Sequence, residues 1–248
     1  MSKEIPRLRM FAGPNGSGKS TMKSVIRSEL IGIYINPDEI EKETFQRGFL
    51  DLNAYGVKTT NHEVLDFFGR STLLKNLNGE GQSFRFFEDK IIFEEAEVNP
   101  YFAAVAADFI RNKLVESRQS FTFETVMSHP EKIELLRKAQ EKGYRTYLYY
   151  VATDDPQVNI SRVRHRVKMG GHSVQEDKII GRYYNSLNLL TKAVQNTHRA
   201  YIFDNSGITL LWLAEITDGK NLQMKTDQAP TWFKKALWDK FNLESSCE

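Results

Sequence analysis

Residues Gly13 to Ser20 read GPNGSGKS and fit the pattern G-x-x-x-x-G-K-[ST]. The run follows RLRMFAG, which predicts a strand, and leads into a helix expected from about Ser20 to Leu30. That strand–loop–helix context is what gives the pattern its chemistry. Its glycines let the backbone curl so that successive N–H groups face phosphate oxygens, and the helix start adds the positive end of its dipole. The spacing therefore predicts binding of ATP or GTP by Gly13, Asn15, Gly16, Ser17, Gly18, Lys19, Ser20 and Thr21. Lys19 is placed to reach the β and γ phosphates, and the Ser20 hydroxyl to coordinate Mg²⁺.

Transfer of a phosphoryl group to an acceptor needs a carboxylate near the acceptor hydroxyl and cations on the moving charge. Asp38, in YINPDEI, follows the second predicted strand, at the carboxyl edge where open α/β sheets bind ligands. It reads either as a general base or as a helix cap. Glu124 and Thr125 end a third strand, SFTFETV, on the same edge. The cations lie in SRVRHRVKMGGH, Ser161 to His172. A helix starting near Asp155 or Pro156 puts Arg162 and Arg166 one turn apart on one face, with Arg164 pointing elsewhere. Gly170 and Gly171 then read as a joint before His172, and Arg182 belongs to the next helix. This segment reads as a phosphate-covering lid or as a solvated basic helix.

A motor-type ATPase would show an apolar strand ending in Asp-Glu, and none is present; LNGEGQ has the wrong glycine spacing for a transporter signature. The elements that must position the site alternate strand and helix: IGIYINP, SFTFETV, a helix over 130 to 142, YRTYLYYVAT, the cationic helix, YYNSLNLLTKAV and AYIFDNS. This order predicts an α/β chain with a P-loop kinase-like three-layer fold and a mostly parallel sheet. TLLWLAEITDGKNLQMKTD adds an antiparallel hairpin turning at Asp218 and Gly219, followed by a helix from about Pro230 to Phe241. The organisation expected is one domain over 1–248, a helical insertion at 41–97 covering the acceptor site, a lid at 155–182, and a C-terminal hairpin and helix at 207–248.

Among 248 residues, 34 Lys and Arg against 32 Asp and Glu give a net charge of only +2. Such a balance argues against nucleic acid as partner. Cys247 is the single cysteine, so a disulfide framework is excluded and a reducing cytoplasm is the expected location. The amino terminus lacks an apolar signal core, and no run approaches the roughly 20 apolar residues of a membrane span.

With these motifs in hand, the chain resembles the zeta toxin family of P-loop kinases and its shorter bacterial relatives. The resemblance rests on GPNGSGKST, INPDEI, NPYFAAVAADFIR, SFTFETVMS, GYRTYLYYVATDDPQVNISRVRHRVKMGGHSV, IIGRYYNSLNLL and IFDNS, over residues 8 to 40 and 98 to 206. It implies transfer of the ATP γ-phosphoryl, with Mg²⁺, to a hydroxyl of a nucleotide sugar such as UDP-N-acetylglucosamine. It further implies Lys19 on phosphate, Asp38 as base, Glu124 and Thr125 on the acceptor with Asn36 and Asp108 beside them, and Arg166 and Arg182 as lid arginines. Which of Arg162, Arg164 and Arg166 matches the first lid arginine stays open. Arg162 is also a candidate contact to ATP. An antitoxin protein is the implied partner. Two departures bear on the acceptor: the 41–97 segment, and Val126 where the best-known toxins place a hydroxyl residue nearby. A polynucleotide or nucleoside kinase, or an ATP-binding module without catalysis, is the alternative reading.

Overall fold

Parallel strands buried on both faces are written in sequence as near-continuous apolar runs, and five such runs build the centre of this protein. The computed structural model describes residues 4–75, 84–93, 100–171 and 173–241. In chain order, β1 (Arg7–Ala12) leads through a 3₁₀ turn (Lys19–Thr21) to α1 (Met22–Val25), β2 (Ile33–Ile35) and α2 (Pro37–Arg47). Next come β3 (Phe49–Asp51), α3 (Asn61–Arg70), α4 (Thr72–Lys75), β4 (Phe84–Phe87), β5 (Lys90–Phe93), α5 (Pro100–Glu116) and β6 (Phe121–Thr125). Then follow α6 (Glu131–Glu141), β7 (Arg145–Ala152), α7 (Pro156–Lys168), α8 (Glu176–Gln195), β8 (Arg199–Asp204), β9 (Leu211–Thr217), β10 (Asn221–Met224) and α9 (Thr231–Phe233). The main sheet has seven strands in the order β10-β9-β8-β7-β1-β6-β2. Its β1–β7, β7–β8 and β2–β6 ladders are parallel, while β8–β9 and β9–β10 are antiparallel. The α/β class, the mostly parallel sheet and the terminal hairpin are therefore as the sequence implies.

Contacts divide the chain into two compact units, Met1–Ile31 with Glu124–Glu248, and Gly32–Phe123. In the first, Leu8, Met10, Leu148, Tyr150, Ala200 and Ile202 are fully buried. The Tyr150 hydroxyl meets Ser186 Oγ at 3.0 Å, which joins β7 to α8 without leaving a buried polar group unsatisfied. Two expectations change here. The helix expected from Ser20 to Leu30 is broken into the 3₁₀ turn, α1 and a second 3₁₀ turn at Ser28–Leu30, with Ile26 extended between them at φ −114° and ψ 141°. The cause is local competition: Thr21 Oγ1 donates to Gly18 O and Ser24 Oγ to Thr21 O, and such back-bonding, with β-branched Thr21, Val25 and Ile26, weakens a regular helix. The terminal helix is α9 followed by a π turn over Lys234–Trp238, burying Trp232, Phe233, Ala236 and Leu237.

In the second unit α2 packs on α5, and a small antiparallel sheet runs in the order β3-β5-β4. The charged stretch FRFFEDKIIF thus forms a hairpin within the segment expected to be helical. Its two turn residues, Glu88 and Asp89, have φ of 48° and 57°, the left-handed values that a tight two-residue hairpin requires. Phe68 joins this sheet to α5, with ring centroids 5.2 Å from Phe84 and 5.1 Å from Phe102. The turn in NGEGQS lies outside the described residues. Among the described residues no helix is long and apolar enough to cross a membrane.

A capping box starts α3: Thr60 Oγ1 accepts from Glu63 N, and Glu63 Oε2 accepts from Thr60 N. The hydrogen bond from Lys113, with those from Thr59 and Thr60, holds the Glu63 carboxyl down at about 2. Because the folded value lies below that of the unfolded chain, the stabilisation is full above the ordinary carboxylate range and is lost as pH falls toward 2. An NMR pH titration of the Glu63 carboxyl should place its midpoint near that value in the wild type, and Lys113→Met should move it upward.

Candidate functional site

The loop after β1 is shaped by contacts that leave no room for a Cβ. A Cβ on Gly13 would lie 2.0 Å from Val151 O, and one on Gly16 would lie 2.5 Å from Asn159 O. One on Gly18 would lie 2.2 Å from Asn205 Nδ2. Gly16 and Gly18 also sit at φ of 75° and 99°, where a side chain is strained whatever the space. Two asparagines from other elements grip the loop. Asn159 Nδ2 donates to Asn15 O, and Asn205 Nδ2 donates to Ser17 O at 2.8 Å.

Lys19 folds across the loop, its Nζ donating to Gly13 O at 2.8 Å and to Pro14 O at 3.0 Å. Asn15 Oδ1 and Ser17 Oγ are buried without a hydrogen-bond partner, as are three arginine nitrogens described below. A triphosphate fits this arrangement: main-chain N–H groups, an ammonium and hydroxyls suit an anion, and the unpartnered Ser17 hydroxyl lies in the loop itself. Ser20 is exposed at the helix side of the loop. Among the described residues no group of three or more His, Cys, Asp or Glu could hold a metal ion; a hydroxyl such as that of Ser20 is the kind of oxygen ligand that suits Mg²⁺ bound mainly through phosphates.

The cationic segment is a helix, as its spacing predicts. Asp155 caps α7 by accepting from Gln157 N, and Pro156 occupies the first turn. Arg162 is half-buried; its Nη2 donates to Gly207 O at 3.4 Å, and its Nη1 is buried without a partner. Arg166 is exposed, and Arg182 lies half-buried in the second turn of α8. Arg164 does not share their direction: its Nε donates to Glu176 Oε1 at 2.8 Å, an ion pair from α7 to the start of α8. Ile160, Val163 and Ile179 form a small core between the two helices, with Val174 and Ile180 packed against it.

The glycine pair closes α7. Gly170 lies at φ 88°, Gly171 N donates to Arg166 O and Gly170 N to Val167 O, each at 3.0 Å. This is a Schellman ending, in which the left-handed residue turns the chain back over the last turn. The pair is thus an ordered helix stop, and His172 lies outside the described residues. At the other end of the lid Tyr183 donates to Thr153 O at 2.6 Å, fastening α8 to the end of β7. Burial raises the Tyr183 phenol above its ordinary value, so it remains a donor.

Glu124 is buried at the end of β6, and Thr125 follows it, its Oγ1 accepting from Met127 N at 3.0 Å. In the second unit the N-terminus of α2 is capped by Asn36, whose Oδ1 accepts from Asp38 N at 2.9 Å. Asp38 is exposed in the first turn and is not the cap. Asp108, on α5, pairs with Arg111 one turn later. Arg111 is 2% exposed, its guanidinium carbon is 5.1 Å from the Phe123 ring centroid, and its Nε and Nη1 are buried without partners.

Sequence reasoning did not single out Asn159, Asn205, Arg111 or the cluster behind β8. There Asp204 Oδ1 accepts from Trp232 Nε1 and Ser206 Oγ, both at 2.7 Å, and Ser206 Oγ accepts from Asp154 N at 2.8 Å. The available signal was polar residues at the ends of apolar strands, in VATDDP and IFDNS.

The fold and loop define a P-loop α/β chain of kinase-like architecture. The zeta toxin family model matches residues 95–217, just under half of the chain. The match takes in α5, β6, the lid and β9; the phosphate loop, Asn36 and Asp38 lie before it. An uncharacterized protein of Haemophilus influenzae is 27% identical over 119 residues, covering 46% of this chain and 84% of the relative. Among solved structures, the AvrRxo1-ORF1:AvrRxo1-ORF2 complex with sulphate ions aligns with a TM-score of 0.54 and 14% identity, covering 90% of this chain. This chain spans only 62% of that neighbour's length. The PezAT chromosomal toxin-antitoxin system of Streptococcus pneumoniae aligns with a TM-score of 0.50 and 14% identity, covering 98% of this chain and 88% of the neighbour. Likeness at these identities is one of fold.

The glycine stop gives a direct test of how α7 ends. Gly170→Ala places a Cβ in the left-handed region and should cost roughly 1–2 kcal/mol of stability. Gly181→Ala, in the interior of α8 where a Cβ meets nothing within 4 Å, should be neutral or stabilising. Urea unfolding of the two variants measures both.

Proposed function

We propose that this chain is an ATP-dependent kinase that phosphorylates a hydroxyl of a small acceptor of the nucleotide-sugar class. UDP-N-acetylglucosamine is the acceptor implied by the family resemblance. The observation that carries the reading is the phosphate loop, with its left-handed glycines, its Lys19 and its buried, unpartnered Ser17 hydroxyl. The match of the zeta toxin family model to residues 95–217 supports it, as does likeness in fold to an AvrRxo1-ORF1:-ORF2 structure described as containing ATP, with a TM-score of 0.52.

In this mechanism Lys19 exchanges Gly13 O and Pro14 O for β and γ phosphate oxygens. Carbonyl dipoles hold an ammonium more weakly than anionic oxygens do, so the exchange is favourable. Asp38 accepts the proton of the acceptor hydroxyl as that oxygen bonds to the γ phosphorus. The bond from the γ phosphorus to the bridging oxygen breaks, and ADP leaves with its electron pair. Mg²⁺, held at Ser20 and the phosphates, would neutralise charge on the leaving group. Arg162 and Arg166 from α7, with Arg182 from α8, cover the transferring phosphoryl. Arg164 is assigned to Glu176 and so leaves the first lid position to Arg162 or Arg166. Asn36 holds the turn that bears Asp38, and Glu124, Thr125 and Asp108 orient the acceptor.

The same reading assigns the whole chain to one kinase domain, with 41–97 over the acceptor, a lid at 155–182 and a C-terminal hairpin and helix at 207–248. It places the protein in the cytoplasm, with no membrane or nucleic-acid partner. An antitoxin protein is proposed as partner because the PezAT neighbour is described as a toxin-antitoxin system.

Asp38→Ala should lower acceptor phosphorylation by at least about a hundredfold and leave ATP affinity within a factor of three, since a general base supplies roughly 10²–10⁴ in rate. Lys19→Ala should weaken ATP binding itself. Mass spectrometry of products from ATP, Mg²⁺ and a panel of nucleotide sugars, nucleosides and oligonucleotides checks the acceptor class. Phosphorylated oligonucleotide without phosphorylated sugar would overturn it.

A further inference from the structure

A trans peptide points its C=O and its N–H in opposite directions, so whatever holds one fixes the other. In the phosphate loop two peptides are held by their carbonyls. The Asn15–Gly16 peptide is held through Asn15 O by Asn159 Nδ2, and the Ser17–Gly18 peptide through Ser17 O by Asn205 Nδ2 at 2.8 Å. The N–H groups of Gly16 and Gly18 must then face away from the two asparagines. We infer that Asn159 and Asn205 are positioning residues that set these two N–H groups toward the phosphates of the bound nucleotide.

Both asparagines are themselves fixed. Asn159 is fully buried on α7, and its Oδ1 accepts from Thr153 Oγ1, which commits the amide nitrogen to Asn15 O. Asn205 N donates to Ala152 O at 2.8 Å, anchoring the end of β8 to the end of β7. The missing side chains of Gly16 and Gly18 are the space that these residues occupy, which is why the amides reach the loop at all. A bound anion gains from such N–H groups only if they need not reorient on binding, which is the advantage of preorganisation. Asn159 sits one turn before Arg162, so the brace also makes the loop and the first lid helix move together.

The effect on ATP rests on the kinase reading above, whereas the orientation of the two peptides does not. Asn159→Asp keeps the acceptor for Thr153 and nearly the same volume, but replaces the donor to Asn15 O by an oxygen. Asn205→Ala removes the donor to Ser17 O. Calorimetric titration should show the ATP dissociation constant raised about tenfold in each, the size of a lost buried hydrogen bond. The turnover number at saturating ATP should stay within a factor of three, and preference for ATP over AMP should fall. Simple destabilisation would instead lower the active fraction and leave that preference unchanged. Unaltered ATP affinity and ATP/AMP preference in both variants would overturn the inference.

Asn205→Ala carries the test if Asn159→Asp does not fold. If the wild type binds neither ATP nor pyrophosphate, the kinase reading fails and hydrogen exchange decides the brace separately. Faster exchange at Gly16 and Gly18 amides in the variants upholds it, and unchanged exchange rejects it.

Discussion

The close approach of three chain ends to one glycine loop is the constraint on which the rest of the first unit depends. Val151 at the end of β7, Asn159 on α7 and Asn205 after β8 each stand within 2.5 Å of where a Cβ on the loop would be. Such contacts exist only if β1, β7 and β8 are in register at their carboxyl ends, which their parallel ladders impose. The loop is thus shaped from outside as well as by its own glycines. Once β7 is fixed against both neighbours, Thr153 and Asp155 begin α7 at one set place, and the cap and proline fix its direction.

From that anchor the lid acquires its character. Among its contacts are Ile160, Val163 and Ile179 at the core, the Arg164–Glu176 pair at the rim, and the Tyr183 hydroxyl at the base. The pair is more than half exposed on the Arg164 side, so water and salt screen it and its main effect is on geometry. The apolar cluster is the stronger element, yet it is small beside the buried core of β7 and β8. A segment held by so small a core is expected to open more readily than the sheet, as the lid role proposed for its arginines requires. Asn159 lies at the end of α7 that is rooted beside the phosphate loop, whereas Arg166 and the hydrogen-bonded glycine stop lie at its far end.

Much of this was legible in the sequence because it was written in strong local signals. The glycine spacing of the phosphate loop, the Asp-Pro start of α7 and the Asp218–Gly219 turn each demand a particular backbone, and each is found. What was illegible depended on partners distant in sequence or on weak turn chemistry. Asn205 reaches Ser17 across 188 residues, and nothing near either residue announces the contact. The β4–β5 hairpin turns on Glu-Asp, where Asn-Gly would have declared it. The helix after the phosphate loop was overextended because hydroxyl back-bonds in STMKS compete with the helical ladder, an effect that periodicity alone does not register. In Asp38 the sequence left cap and base open; Asn36, two residues earlier, takes the cap.

Asp108 shows how a single buried charge can govern a residue's role. Arg111 is almost wholly inside the second unit, with Asp108 as its ion-pair partner and Phe123 beneath its guanidinium. Removing the carboxylate would strand that cation in a low-dielectric interior, a loss of about 3–5 kcal/mol for a broken buried pair. Asp108 therefore has a structural duty before any contact with an acceptor. A loss of activity on its replacement by Ala would not by itself assign it to the acceptor site. The isosteric Asp108→Asn keeps an oxygen acceptor for Arg111 but also takes away its counter-charge, so activity is read beside unfolding stability: activity lost in step with stability marks the structural duty, and activity lost beyond it marks recognition that needs the negative charge.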